Sequence, residues 1–287
     1  MELYIIQAMI GALMFGFGGI LFKWNAHNHG DEAYFFISLY GVGAVCFFLG
    51  SLDVLSEFSS AEYLFMALIV ALGSAGGNFA FSQGMRYGPA GLTSAFAKAN
   101  IVIVILISSF YYGESITWME GVGILFFFAA MLVVNIKLGG HEKSTSGAWF
   151  LIMVACIILL AFRNGGLKIA NEAGLSGVLI VAVSYAICAI VSCLVLLKNK
   201  KKVWTAKVPK WKILTAGALT GTVSYGGLYF YITALKSGPG SVVVTIFSLD
   251  MFFILLMSYA FFGERLNRNQ KVGFLLSAIG LTLIGLK

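Results

Sequence analysis

Met85-Arg86-Tyr87-Gly88-Pro89-Ala90 returns 150 residues later as Leu235-Lys236-Ser237-Gly238-Pro239-Gly240. The same offset carries Gly76-Gly77 onto Gly226-Gly227 and Tyr112-Gly113-Glu114 onto Phe262-Gly263-Glu264. From Gly88 to Lys137 the register with Gly238 to Lys287 holds without a gap, and most positions that differ are apolar in both copies. The chain therefore reads as a tandem duplication, with residues 1–137 as one half and 138–287 as the other.

The solvent for both halves is expected to be lipid. Hydrophobic residues make up 60% of the chain and charged ones 11%, with a mean hydropathy of +0.93. A soluble domain carries about 25% charged residues. A helix crosses the roughly 30 Å hydrocarbon core with about 20 apolar residues. Such stretches cover residues 3–23, 33–53, 62–85, 89–112, 116–136, 148–170, 176–198, 212–235, 239–262 and 268–286, which leaves no room for a soluble domain. The expected fold is an all-α integral membrane protein of ten transmembrane helices, spans 1 to 10, in two five-helix repeats. Leu3 onward reads as a retained first span, since no basic segment or small-residue cleavage pattern marks a signal peptide. Cys46, Cys156, Cys188 and Cys193 all fall inside spans and read as apolar filler. His27-Asn28-His29-Gly30-Asp31-Glu32 carries metal-type side chains but lacks a second cluster, so it reads as a solvated connector.

The net charge of +7 is local. Lys198, Lys200, Lys201, Lys202, Lys207, Lys210 and Lys212 crowd the loop between spans 7 and 8. With no aromatic platform beside them they suit lipid headgroups rather than nucleic acid. The other odd-numbered loops carry Lys23, Arg86, Lys137, Lys143, Arg265, Arg268 and Lys271. The even loops and termini carry Lys168, Lys236 and Lys287, with Arg163 nearby. Cytoplasmic loops hold the Lys and Arg excess, so the odd loops are expected inside and both termini outside. Five spans is an odd number, which inverts one half relative to the other. Inverted repeats are the architecture of secondary transporters.

Small residues set the expected packing. Ala67-x3-Ala71 and Gly73-x3-Gly77 on span 3, with Gly217-x3-Gly221 and Gly226-Gly227 on span 8, let helix backbones approach closely in lipid. Pro89 and Pro239 open spans 4 and 9, where a missing N–H costs little. Glu114 and Glu264 close the same spans beside a helix-ending glycine, and a boundary role is expected for both.

The paired Gly-Pro junctions, with Gly113-Glu114-Ser115 and Gly263-Glu264-Arg265, resemble the repeated motif of the drug/metabolite transporter superfamily, EamA-type. The resemblance covers the whole chain. It implies a central cavity lined by spans 1, 3, 4, 6, 8 and 9, with spans 5 and 10 peripheral. Members move amino acids, drugs, sugars, nucleotides and other metabolites, so it leaves the substrate open. Members are often drawn with both termini in the cytoplasm, opposite to the orientation that the charge count predicts.

Charge at membrane depth costs at least about 2.5–3.5 kcal/mol and demands a partner or a function. Lys98 lies roughly 14 Å into span 4 and Asp250 roughly 16 Å into span 9. Residues 98 and 100 map onto 248 and 250, so Lys98 with Asn100 faces Ser248 with Asp250 at one height. Two readings follow. Lys98 and Asp250 form a structural ion pair stitching the halves, or both face the cavity, Lys98 taking a carboxylate and Asp250 an ammonium. A pair that opens for substrate would satisfy both. Asp250 is also the candidate proton carrier. Arg163-Asn164-Gly165-Gly166 on span 6 corresponds to Gly16-Phe17-Gly18-Gly19 on span 1, so its polarity is particular to one half. Arg163 is placed either to grip a carboxylate or phosphate in two-point fashion or to reach headgroups from a helix end. Asn78 and Gln83 of span 3, with Tyr229 and Tyr231 of span 8, complete the candidate lining, the aromatic rings being suited to organic solutes.

These residues predict a secondary active transporter, an exporter of amino acids or related metabolites in the cell membrane, working by alternating access with proton coupling or exchange. No cofactor or nucleotide-binding loop is expected, and the chain is expected to be a monomer or a weak homodimer. The alternative is efflux of aromatic or cationic drugs; a membrane-embedded lipid-processing enzyme is a remote one, given a single clear intramembrane acid. A channel is disfavoured by the lack of a repeated carbonyl motif or charge ring.

Overall fold

Small residues bring the helices of this protein into backbone contact, and the pattern of those contacts defines the architecture. The computed structural model describes residues 3–57, 61–113, 115–135, 147–198, 205–237, 243, 246–247 and 249–285. These hold helices α1 (Leu3–His27), α2 (Glu32–Leu49), α3 (Ala61–Tyr87), α4 (Ala90–Ala97), α5 (Asn100–Tyr112), α6 (Trp118–Asn135), α7 (Gly147–Glu172), α8 (Gly177–Lys198), α9 (Lys210–Ser237), α10 (Asp250–Phe262) and α11 (Arg268–Gly285), with a short 3-10 turn over Leu52–Glu57. No strand occurs among the described residues. Six stretches among them are long and apolar enough to cross a membrane: α1, α2, α3, the α4–α5 stretch Ala90–Tyr111, α7 and α8. Residues 118–133 of α6 and the whole of α10 are shorter apolar helices.

The 150-residue offset pairs α3 with α9 and α4–α5 with the α10 region, and the packing obeys it. α3 runs along α7, and its counterpart α9 runs along α1. α2 lies on α9, and α8 on α3. Helices α2 and α8, α6 and α11, and α4 and α10 meet their own counterparts. Exchanging the halves thus maps the packing onto itself, as a pseudo-twofold relation requires.

The expected small-residue contacts are present. A side chain at Gly73 would strike the backbone of Leu159 and Arg163 on α7, and one at Gly221 the backbone of Leu39 and Gly43 on α2. Gly226 and Gly227 face Met14 and Phe15 on α1. Such approaches maximise dispersion where lipid removes any hydrophobic drive between helices. The buried thiols serve the same contacts: Cys188 Sγ donates to Ala71 O at 3.4 Å and Cys156 Sγ to Gly77 O at 3.6 Å.

Two expectations are corrected. The second span ends at Leu49 rather than residue 53, because Gly50 caps it and the chain turns into the 3-10 segment. Residues 89–112 do not form one continuous helix; the path breaks at Lys98-Ala99, between α4 and α5. Of the motifs singled out in the sequence, Gly238, Pro239, Gly240, Glu114, Ser248, Lys137, Lys143, Lys200, Lys201, Lys202 and Lys287 lie outside the described residues.

Candidate functional site

The break in the fourth span has a local cause. Neither proline nor glycine occupies it. Asn100 Nδ2 donates to the carbonyl of Ala97 at 2.5 Å, competing with the helical ladder. Around it the backbone tightens to three-residue spacing: Ala99 N donates to Phe96 O, Ile101 N to Lys98 O and Val102 N to Ala99 O, at 3.0–3.1 Å. The other half does the same at the matching height. Leu249 N donates to Ile246 O and Phe252 N to Leu249 O, both at 3.0 Å. Asn100 opens α5 and its counterpart Asp250 opens α10. Both breaks therefore present a polar side chain beside tightened, three-residue backbone turns at matching positions of the two halves.

At this level the two halves are joined. Lys98 Nζ donates to Asp250 Oδ2 at 2.7 Å, with side chains 24% and 5% exposed. The second carboxylate oxygen, Asp250 Oδ1, is buried and has no hydrogen-bond partner among the described residues. Aromatic rings wall the pair. The Lys98 ammonium sits 5.8 Å from the Phe247 ring centroid. Phe247 contacts Tyr231 at 4.5 Å and Phe15 at 5.0 Å between centroids. Gly91 admits Leu255 at the α4–α10 crossing, holding the two broken helices together.

From Asn100 the polar path continues into α7. Asn164 Nδ2 donates to Asn100 Oδ1 at 2.6 Å. Arg163, the next residue back, is half-buried, and its Nε has no hydrogen-bond partner among the described residues. Its backbone lies against Gly73, and its guanidinium is near enough to Tyr40 and Cys188 to act on both electrostatically. Tyr40 Oη donates to Ser74 O at 2.8 Å and accepts from Asn78 Nδ2 at 3.2 Å. Arg163 is thus deep in the helix packing, not at the end of α7. Of the residues singled out in the sequence, Lys98, Asn100, Asp250, Asn164 and Tyr231 come together around the paired breaks, and Asn78 and Arg163 form the adjoining cluster. Tyr229 does not join either. It is 56% exposed, with its ring against Tyr225 and Phe230. Gln83 belongs elsewhere too, donating to Glu32 Oε1 at 3.3 Å.

A third polar cluster joins the two halves at the end of the molecule that carries the first Gly-Pro junction. Lys23 on α1 forms an ion pair with Glu264 and donates to Met85 O at 2.7 Å and Gly88 O at 3.2 Å. Glu264 Oε2 accepts from Ala90 N at 2.8 Å, capping α4, and from Ser258 Oγ. The Gly-Glu motif of one half thereby caps the Gly-Pro helix of the other. Beside it Glu32 pairs with Arg86 at 3.1 Å and accepts from Ser82 at 2.9 and 3.0 Å. The boundary role read for Glu264 is therefore also a contact between halves. Nothing in the sequence linked it to Lys23, because charges at helix ends are ordinary.

Comparison with known proteins agrees with this architecture. The profile of the EamA-like transporter family matches residues 2–136 and again residues 146–286. No match was found among curated proteins. One solved structure, described only as the crystal structure of a protein, superposes with a TM-score of 0.62 at 14% identity, covering 96% of this chain and 95% of its own. That likeness concerns the fold alone. Matched twice and along nearly its whole length, this membrane-embedded chain belongs to the EamA-like transporter family.

Proposed function

We propose that this family member is a secondary active transporter, an exporter of small organic metabolites such as amino acids, whose substrate binds at the paired helix breaks. The observation that carries the reading is the Lys98–Asp250 bond at 2.7 Å between the two halves, at breaks in matched spans. Broken helices at membrane depth are where transporters place substrate and coupling-ion sites. Ten spans in two inverted halves, 1–137 and 138–287, rock about this level, and the odd loops face the cytoplasm. Asp250 carries the coupling proton. Substrate competes for Asp250 and Lys98, so the halves separate on one side only when the pair is replaced by ligand contacts. Proton binding at Asp250 neutralises the same group and resets the cycle. The chain works as a monomer or weak homodimer in the cell membrane.

The test is counterflow and pH-gradient-driven uptake in proteoliposomes, using radiolabelled amino acids. Wild-type protein is expected to accumulate label when a proton gradient is imposed. Asp250→Asn is expected to lose gradient-driven flux while retaining a folded, monodisperse state. Full gradient dependence in Asp250→Asn would remove it from coupling. Absence of solute flux under both regimes would sink the transporter reading itself.

A further inference from the structure

An arginine at membrane depth cannot shed its charge. The guanidinium group does not deprotonate in proteins, so burial does not make it neutral as it can a lysine. Arg163 sits nine residues, roughly 14 Å, before the end of α7, and its packing partner Gly73 lies roughly 18 Å from the start of α3. That sets it within the apolar span rather than at its end. Lys98 at the neighbouring level is neutralised by Asp250. Lys23 and Arg86 beside the first Gly-Pro junction are neutralised by Glu264 and Glu32. No ion pair of Arg163 occurs among the described residues. Its Nε is buried without a partner, and so is Ser74 Oγ in the same cluster. Groups of this kind are costly to leave unpaired, and the missing partner is a negative charge.

We propose that Arg163 is the receptor for a carboxylate on the transported solute, in a subsite separate from the Lys98–Asp250 pair. This rests on the transporter reading above and moves the carboxylate from Lys98 to Arg163. The planar guanidinium offers parallel donors that match the two oxygens of a carboxylate. Asn78 lies beside it through Tyr40, and Asn164 links it to Asn100 and the paired breaks. Asp250, whose second oxygen Oδ1 is unpaired among the described residues, is the candidate partner for an amino group on the same solute. The pair at the breaks is then free to serve as counter-ion and coupling group instead of being dismantled for every anion bound. Solutes without a carboxylate leave Arg163 unpaired and are rejected.

The experiment is a thermal-shift titration of the detergent-purified protein with the standard amino acids, straight-chain and phenyl-substituted monocarboxylates, and the amines lacking only the carboxylate. Inorganic phosphate is included as a competing oxyanion. Carboxylates are expected to stabilise the wild type and their matched amines are not. In Arg163→Met the affinity for carboxylates is expected to fall at least about tenfold, and in Arg163→Lys to fall less, because charge survives but the two-point grip does not. The ligand-free melting temperature of Arg163→Met shows whether it is folded, and Arg163→Lys keeps the comparison open if it is not. Carboxylate binding unchanged in Arg163→Met overturns the proposal. So does stabilisation by amines or phosphate alone, or by no carboxylate at all. Flux that needs Asp250 but ignores Arg163 would sink this assignment and leave the transporter reading standing.

Discussion

At the scale of the residue, the Lys98–Asp250 pair is held by opposing costs. Each charge alone is expensive in a dry environment, and their attraction offsets that cost only while both are present. Lys98→Met removes the charge partner that Asp250 has among the described residues and leaves its carboxylate buried. It is expected to destabilise the protein by about 3–5 kcal/mol, as removal of one member of a buried pair does. The double variant Lys98→Met/Asp250→Asn removes both charges and should recover most of that loss. Thermal unfolding followed by loss of monodispersity compares the three. Equal melting of Lys98→Met and wild type would mean the pair is open in solution. Lys98, Asp250, Arg163 and Asn164 were legible because polar side chains stand out in apolar runs. Their partners were less so: Phe247 beside Lys98, and Phe15 packed on Phe247, are ordinary apolar residues that only the packing of α1 against the ninth span brings together.

At the scale of the element, glycines fall into two kinds that look alike in sequence. At Gly73 a side chain would meet the α7 backbone at Leu159 and Arg163, whereas at Gly41 on α2 it would meet nothing within 4 Å. Gly73→Ala is expected to force α3 and α7 apart, at a cost of about 1–3 kcal/mol. Gly41→Ala gains helix propensity with no clash and is expected to be neutral or stabilising by up to about 1 kcal/mol. Melting temperatures of the two variants decide it, and a Gly73→Ala protein as stable as Gly41→Ala would contradict the packing described. The contact faces of α3 and α9 were readable in the amino-acid sequence, because small residues recur one turn apart on each. The helix breaks were not readable. Neither proline nor glycine marks Lys98-Ala99, and the interruption goes with one short hydrogen bond by Asn100 that its residue type alone does not announce.

At the scale of the whole molecule, duplication explains why the two motif copies meet. Gly88-Pro89 needs a cap for the first N–H groups of α4, since the proline supplies no side-chain hydrogen bond. Glu264 of the other half provides it at Ala90, and Lys23 balances its charge. That end is thus held by an ion pair and a helix cap shared between halves, while Lys98–Asp250 joins them at the paired breaks. The alternating access proposed above requires this end, when closed, to be only marginally favoured, so that ligand contacts can reverse it. Glu264→Gln keeps oxygen for Ala90 N and Ser258 but loses the charge that holds Lys23. A loss of about 1.4 kcal/mol from the closed side shifts the population about tenfold. Ser94, four residues before Lys98 and 2% exposed, reports on that path. A Ser94→Cys protein, with Cys46, Cys156, Cys188 and Cys193 replaced by alanine, should label slowly with a membrane-impermeant maleimide added at the Lys23 end. Adding Glu264→Gln is expected to speed labelling several-fold toward that tenfold limit, without increasing labelling from the opposite side. An unchanged rate would mean that Glu32 and Arg86 keep the end shut by themselves, and Glu264 would then serve α4 as a cap alone.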